Sequence, residues 1–183
     1  GSTVVAANSA ASNLEGFIYT GMNAFAQAAV TFTSQNMGAR RYDNLDRVMR
    51  NCLLCAVVVG IVLGGGAYLA GEGLLHFYST DETVVAAGLA RMKVICTSYF
   101  LCGIMDLFPG ALRGMGCSAV PMILSVIGTV GTRIVWIFGI FPQHRSLYVL
   151  FISYPGSWII TIILQVICYL IVRKKVHSRA AAV

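Results

Sequence analysis

TFTSQNMGARRYDNLDR, residues 31–47, separates two long runs of apolar and small residues. A helical periodicity runs into it from the left, and a new apolar run begins at about residue 46. Between them stand Gln35, Asn36 and Gly38, then Arg40, Arg41, Arg47 and, just beyond, Arg50. A turn in water needs polar residues, but not so many cations of one sign. At the end of a membrane-spanning hairpin the cluster has a purpose, because Lys and Arg hold loops on the cytoplasmic side. Asp43 and Asp46 temper that charge and are placed to cap the next helix.

Composition points the same way. The chain has 183 residues, 57% hydrophobic and 11% charged, with mean hydropathy +0.77. A soluble domain carries about 25% charged residues, so this chain cannot cover its own surface with polar groups. Several stretches approach the roughly 20 apolar residues that cross a bilayer as a helix. The expected fold class is all-α, a polytopic transmembrane helical bundle with membrane lipid as its surroundings. The net charge of +6 invites a nucleic-acid reading. The basic residues, however, lie in span flanks and do not interleave with aromatics as single-strand binders do. No nucleic-acid partner is expected.

Five spans are expected, at about 4–36, 46–72, 84–112, 119–141 and 147–172, with a tail at 173–183. GARRYDN, GEG with STDE, RGMGCS and FPQHRS supply the breaks. Arg40, Arg41, Arg47, Arg50, Arg113, Arg173, Lys174, Lys175 and Arg179 then share one side. Only Arg91, Lys93 and Arg145 fall on the other, and Arg133 lies within the fourth span. This bias puts the first loop and the tail in the cytoplasm and residue 1 outside. The first residues lack the basic region and cleavage site of a secretory leader. Five spans starting outside suit the C-terminal portion of a longer protein, so the chain is expected to be a fragment.

The first span carries the informative pattern. Asn8, Ser12, Glu15, Tyr19, Asn23, Gln27, Thr31 and Ser34 recur in steps of three or four and form a polar stripe on one helical face. Lipid would not tolerate it. The stripe is either the wall of a wet cavity or polar glue between helices. Glu15, about twenty residues before Gln35, is an ion or substrate contact or a wetted interface residue. Asp106 lies among apolar neighbours just before Pro109-Gly110. Proline frees a carbonyl one turn upstream, and a carboxylate beside such a break binds a cation or takes a proton. The alternative is an ion pair with Arg113 or Arg133. Arg133 is itself either paired or in contact with an anionic substrate.

Other motifs set limits. Gly60-x-x-x-Gly64 and Gly110-x-x-x-Gly114 allow close helix approach. Gly64-Gly65-Gly66 is no phosphate loop, since no Lys-Ser/Thr follows it. Cys52-x-x-Cys55 has the spacing of a metal or redox pair, without a second pair or a nearby His, and reads as apolar packing. His76, His144 and His177 have no metal spacing. Neither an enzyme, a cofactor nor a metal site is expected. A pump without a nucleotide motif would run on an ion gradient.

VVAAN at 4–8, the polar-striped segment, and QNMGARR at 35–41 together resemble the multidrug and toxic compound extrusion (MATE) transporters. ALRGMGCSAVPMI at 111–123, GTRIVWI at 131–137 and YPGSW at 154–158 resemble later parts of the family in the expected order. The resemblance covers essentially the whole chain. It implies helices eight to twelve of a twelve-helix protein, a partial C-terminal lobe whose first lobe is a missing partner of the same chain. It further implies secondary active transport, Na⁺- or H⁺-coupled antiport of drugs or other cationic, amphipathic compounds. The implied location is the cell membrane, multi-pass, in a bacterial inner membrane. A lipid-linked oligosaccharide flippase of the related superfamily is the alternative. In the resemblance, Gln35, Asn36 and Gly38 form a cytoplasmic hairpin turn, with Gly38 allowing a tight exit. Asp106, with Glu15, is the candidate for cation coupling. Tyr19, Asn23 and Gln27 are candidates for the substrate path. Anchored on Leu112-Arg113-Gly114, the family's acidic position falls at Cys102, and Asp106 lies one helical turn further on. Another acidic position belongs to the missing helix, so the fragment alone is not expected to transport.

Overall fold

The computed structural model describes residues 2–143 and 146–180, with side chains for 5–143 and 146–178. His144, Arg145 and the side chain of Arg179 lie outside the described residues. All regular elements there are helical: α1 (Ser2–Gly38), α2 (Asn44–Leu69), α3 (Gly71–Tyr78), α4 (Glu82–Ile95), α5 (Tyr99–Gly114), α6 (Ala119–Val126), α7 (Thr132–Val135) and α8 (Leu147–Ala180). A 3₁₀ turn at Cys96–Ser98 joins α4 to α5, and π-helical turns at Ile127–Gly131 and Trp136–Ile140 flank α7. In hydrocarbon the backbone must satisfy its own hydrogen bonds, which a helix does within one segment.

Among the described residues four stretches are long and apolar enough to cross a membrane: Asn44–Leu69, Glu82–Gly114, Ala119–Ile140 and Leu147–Ser178. They coincide with expected spans two to five. Expected span one, which corresponds to α1, is not in this apolar set. At about 1.5 Å per residue, α1 with its 37 residues is long enough, but its polar stripe takes it out of the apolar set. It nevertheless packs within the bundle, against α5, α2 and α4. α8 continues as helix into the expected tail, to Ala180. No glycine or proline stops it there, and Arg173, Lys174 and Lys175 suit the negative end of a helix dipole.

The core lies where α1, α4, α5 and α8 meet. Ala7, Ala11, Leu14, Ile18, Met22 and Ala29 bury one face of α1. Glycines bring α5 close to it. A Cβ at Gly110 would lie 2.7 Å from the Ala26 carbonyl oxygen, and one at Gly114 would lie 2.8 Å from that of Val30. Gly60 and Gly64 do the same for α2, against Phe100 and the Cys96 carbonyl. Both Gly-x-x-x-Gly pairs therefore make close approaches, as their spacing predicts. Edge-to-face pairs, Phe108 with Tyr169 and Tyr99 with Trp158, join α5 to α8.

The Ala119–Ile140 stretch leans on α8 at the edge. Gln165, fully buried, donates to the Pro121 carbonyl at 2.7 Å and to Ser125 Oγ at 2.9 Å. On its outer side Met122, Val130, Val135 and Phe138 are exposed. Such a surface fits lipid and not water.

The α1–α2 turn closes by a Schellman motif. The Arg41 amide donates to the Asn36 carbonyl at 2.9 Å and the Arg40 amide to Met37 at 3.1 Å. The left-handed residue is Arg40, with φ 55°. The tight exit assigned to Gly38 is thus corrected: Gly38 is the last residue of α1 and is not left-handed. The helix runs two residues past the expected end at 36, which shifts the left-handed position from 38 to 40. The end of α5 repeats the motif with a glycine. There Cys117 donates to Leu112 at 2.9 Å, Gly116 donates to Arg113 at 3.0 Å, and Gly116 has φ 82°. Asp43 sits at the N-cap of α2 without a side-chain capping bond. Asp46 pairs instead with Arg173, tying the start of α2 and the end of α8 to one end of the bundle.

Candidate functional site

Two polar clusters occupy the α1–α5 seam and its surroundings. The first is closed. Arg91 of α4 grips Glu15 of α1 with both prongs, Nε to Oε1 at 2.9 Å and Nη2 to Oε2 at 2.8 Å. Its Nη1 donates to Asn8 Oδ1 at 3.2 Å, and Tyr99 Oη donates to the Glu15 backbone carbonyl at 3.2 Å. Glu15 is 8% exposed and Arg91 7%. Taking both ions out of water is costly, and the bidentate geometry with Asn8 is what offsets that cost. Glu15 is therefore not a wetted interface residue, and both its oxygens are engaged.

The same cluster extends to the edge helix. Tyr154 of α8 carries the Arg91 guanidinium 5.7 Å and that of Arg133 4.2 Å from its ring centroid. Arg133 Nε donates to Ser157 Oγ at 3.2 Å. The aromatic face supplies the attraction that a second carboxylate would otherwise give. Arg133 thus has a partner, though not the carboxylate that a paired reading expects. It lies in α7 between the two π turns, and wide turns of this kind recur at functional positions.

The second cluster is open. Asp106 of α5 is half-buried and faces Tyr19 of α1, with Cys102 one turn before it on the same helix. Among the described residues the ion pairs are Glu15–Arg91 and Asp46–Arg173, so Asp106 has none. Arg113 Nε donates to the Pro109 carbonyl of its own helix at 3.3 Å. The expected alternative, an ion pair of Asp106 with Arg113 or Arg133, does not form. Tyr19 is 41% exposed, Gln27 is exposed and Asn23 half-buried. The side chains of Asn23 and Gln27 make no hydrogen bond to described residues. The lower stripe is an open polar face, whereas its upper part, at Asn8 and Glu15, is the buried ion-pair cluster.

Gln35 is exposed, and Asn36 donates to the Phe32 carbonyl at 2.8 Å and accepts from Asn44 at 3.1 Å. The turn residues are therefore structural. Cys52 and Cys55 are free and line a cleft between α1 and α2. No cluster of three metal-ligating side chains occurs among the described residues.

Sequence reasoning missed Arg91, Tyr99, Tyr154 and Ser157. By sequence alone Arg91 reads as a charge near the outer end of its span. It stands more than two turns into α4, and that depth was the available signal that it needs a partner.

A multi-pass helical membrane protein with a buried ion pair, and with a carboxylate that has no ion-pair partner among the described residues, is the class this architecture defines. The sequence matches the MatE family over residues 1–138, and the chain belongs to that family. It is 22% identical over 177 residues to the probable multidrug resistance protein YoeA of Bacillus subtilis, covering 96% of this chain and 38% of that protein. It is 27% identical over 130 residues to the probable multidrug resistance protein NorM of Chromobacterium violaceum, covering 69% of this chain and 27% of that one. The chain therefore spans well under half the length of either relative.

Proposed function

We propose that this chain is part of the C-terminal lobe of a secondary active exporter. In this reading it couples inward movement of Na⁺ or H⁺ to outward movement of cationic or amphipathic drugs. The observation that carries it is Asp106, a half-buried carboxylate inside a span with no ion-pair partner among the described residues, facing Tyr19 on a helix with an open polar face. An intramembrane acid of this kind is expensive unless a cation or proton neutralises it. Asp106 would take the coupling ion, and Tyr19, Asn23 and Gln27 would line the substrate path. Glu15, held by Arg91, would anchor α1 to α4 while the lobes exchange access. Differential binding of ion and drug to two lobe arrangements would drive the cycle. The family membership and the names of the two relatives support drug export as the cargo class.

The remainder of the same chain would cover the open face of α1. The Asp46–Arg173 end, with Arg40, Arg41 and Arg50, would be cytoplasmic in a bacterial inner membrane, and the protein would act as a carrier and not an enzyme. A lipid-linked oligosaccharide flippase would need free guanidinium groups for a pyrophosphate. Arg91 is committed to Glu15 and Arg133 to Tyr154 and Ser157, which disfavours that reading.

The test is efflux by the complete protein in vesicles with imposed Na⁺ or proton gradients. Asp106→Asn is expected to abolish gradient-driven export of a cationic dye while leaving the protein folded. Export at the wild-type rate would remove Asp106 from coupling.

A further inference from the structure

The cleft between α1 and α2 changes character along its length. It has a volume of about 500 Å³. Phe25, Phe32 and Val48 make its apolar walls, Arg47 lines it near the turn, and Asn51 lines it one helical turn deeper. Asn36 and Asn44, hydrogen-bonded to each other, pin the turn that closes its polar end. From Arg47 to Cys55 on α2 is about 12 Å at 1.5 Å per residue, the depth over which a lipid passes from headgroup to acyl chain.

Charge is left over at the polar end. Arg47 is exposed and makes no hydrogen bond or ion pair among the described residues. Asp46 is bound by Arg173, and Asp43, one turn before Arg47, is not within ion-pair distance of it. Arg41 and Arg50 add to the positive field at this end. At 100° per residue, the cleft-lining positions Phe25 and Phe32 lie roughly opposite Asn23 and Gln27. The cleft therefore opens on the flank of α1 away from the polar face that the proposed transport path uses.

We propose that this cleft holds one anionic phospholipid of the adjoining leaflet. Its phosphate sits on Arg47 and Asn51, and the upper part of its chains lies between Phe25, Phe32 and Val48. Basic pockets between spans attract anionic headgroups, and the apolar wall gives the chains a surface equivalent to lipid. The inference rests on membrane insertion of the helices and not on ion coupling, so its outcome is independent of the Asp106 experiment.

The experiment is native mass spectrometry of the complete protein, released from nanodiscs of phosphatidylcholine mixed with phosphatidylglycerol. The wild type is expected to keep phosphatidylglycerol in preference to phosphatidylcholine. Arg47→Gln should lower that preference by roughly fivefold, the effect of one juxtamembrane cation. Asn51→Leu should lower it in part. Arg41→Gln, whose side chain is outside the cleft, should change it little, and inorganic phosphate should not displace the bound lipid. Equal losses from Arg41→Gln and Arg47→Gln would mean general surface attraction and overturn the proposal. Retention without headgroup preference, or no retention because another segment of the complete chain fills the cleft, would overturn it as well.

Discussion

Arg91 and Glu15, 76 residues apart in sequence, close a two-pronged ion pair in the interior, with N–O distances of 2.8 and 2.9 Å. The pair joins α4 to α1 at a place where neither charge meets solvent. Losing one partner strands the other. Arg91→Ala or Glu15→Ala in the complete protein should therefore cost about 3–5 kcal/mol of stability. The double substitution Glu15→Leu with Arg91→Met should cost far less than the sum. Thermal unfolding in detergent reads both, and additive losses would show that the ions act independently.

Arg40 and Gly116 occupy the same position in two helix-terminating motifs, yet only one is a glycine. A left-handed conformation costs a non-glycine residue roughly 1–2 kcal/mol. Arg40→Gly is expected to raise stability by about 1 kcal/mol, and Gly116→Ala to lower it by a similar amount. Gly38→Ala should be neutral or slightly stabilising, because a Cβ there meets nothing within 4 Å. A destabilised Gly38→Ala protein with an unchanged Arg40→Gly protein would reverse this assignment of the turn.

Gly110 should tolerate no side chain. A Cβ would lie 2.7 Å from the Ala26 carbonyl oxygen, and backbone cannot rotate away. Gly110→Ala should push α5 off α1 and destabilise by about 1–3 kcal/mol. Gly65→Ala, in open space, is the control and should be silent. If the two variants melt alike, the close approach of α1 and α5 is not a stabilising contact.

Asp81, ahead of α4 and outside the spans, caps that helix. Its Oδ1 accepts from Thr83 Oγ1 at 2.7 Å and from the Thr83 amide at 2.9 Å. These bonds, the side-chain one foremost, hold its carboxyl below the ordinary value of 3.8. A depressed carboxyl contributes stability that is present above 3.8 and is lost as pH falls through its lower folded-state value. Asp81→Asn should keep most of the cap but flatten this acid-side fall in melting temperature. An identical fall in both proteins would locate the acid sensitivity elsewhere.

Much of the architecture was legible in the residues. Low charge and long apolar runs sufficed for a helical membrane bundle, because solvent preference is a property of composition. The periodicity of Asn8 through Ser34 marked one face of α1 as unfit for lipid, and Gly60/Gly64 and Gly110/Gly114 marked the close contacts. These are local or statistical properties, carried by each segment alone. Tertiary structure decided which charges meet. Arg91 and Glu15 lie on different helices and find each other only when α1 and α4 pack, so Arg91 read as a flanking charge. Among the described residues Asp106 has no ion pair, since Arg113 bonds its own helix and Arg133 stacks on Tyr154, a choice made by helix rotation. Arg40, and not Gly38, turns left-handed because α1 continues to Gly38, so the left-handed position of its closing motif falls two residues further on. Sequence determined the solvent and the faces. Only packing determined the partners, since a pairing depends on the relative placement of two helices and neither segment encodes it alone.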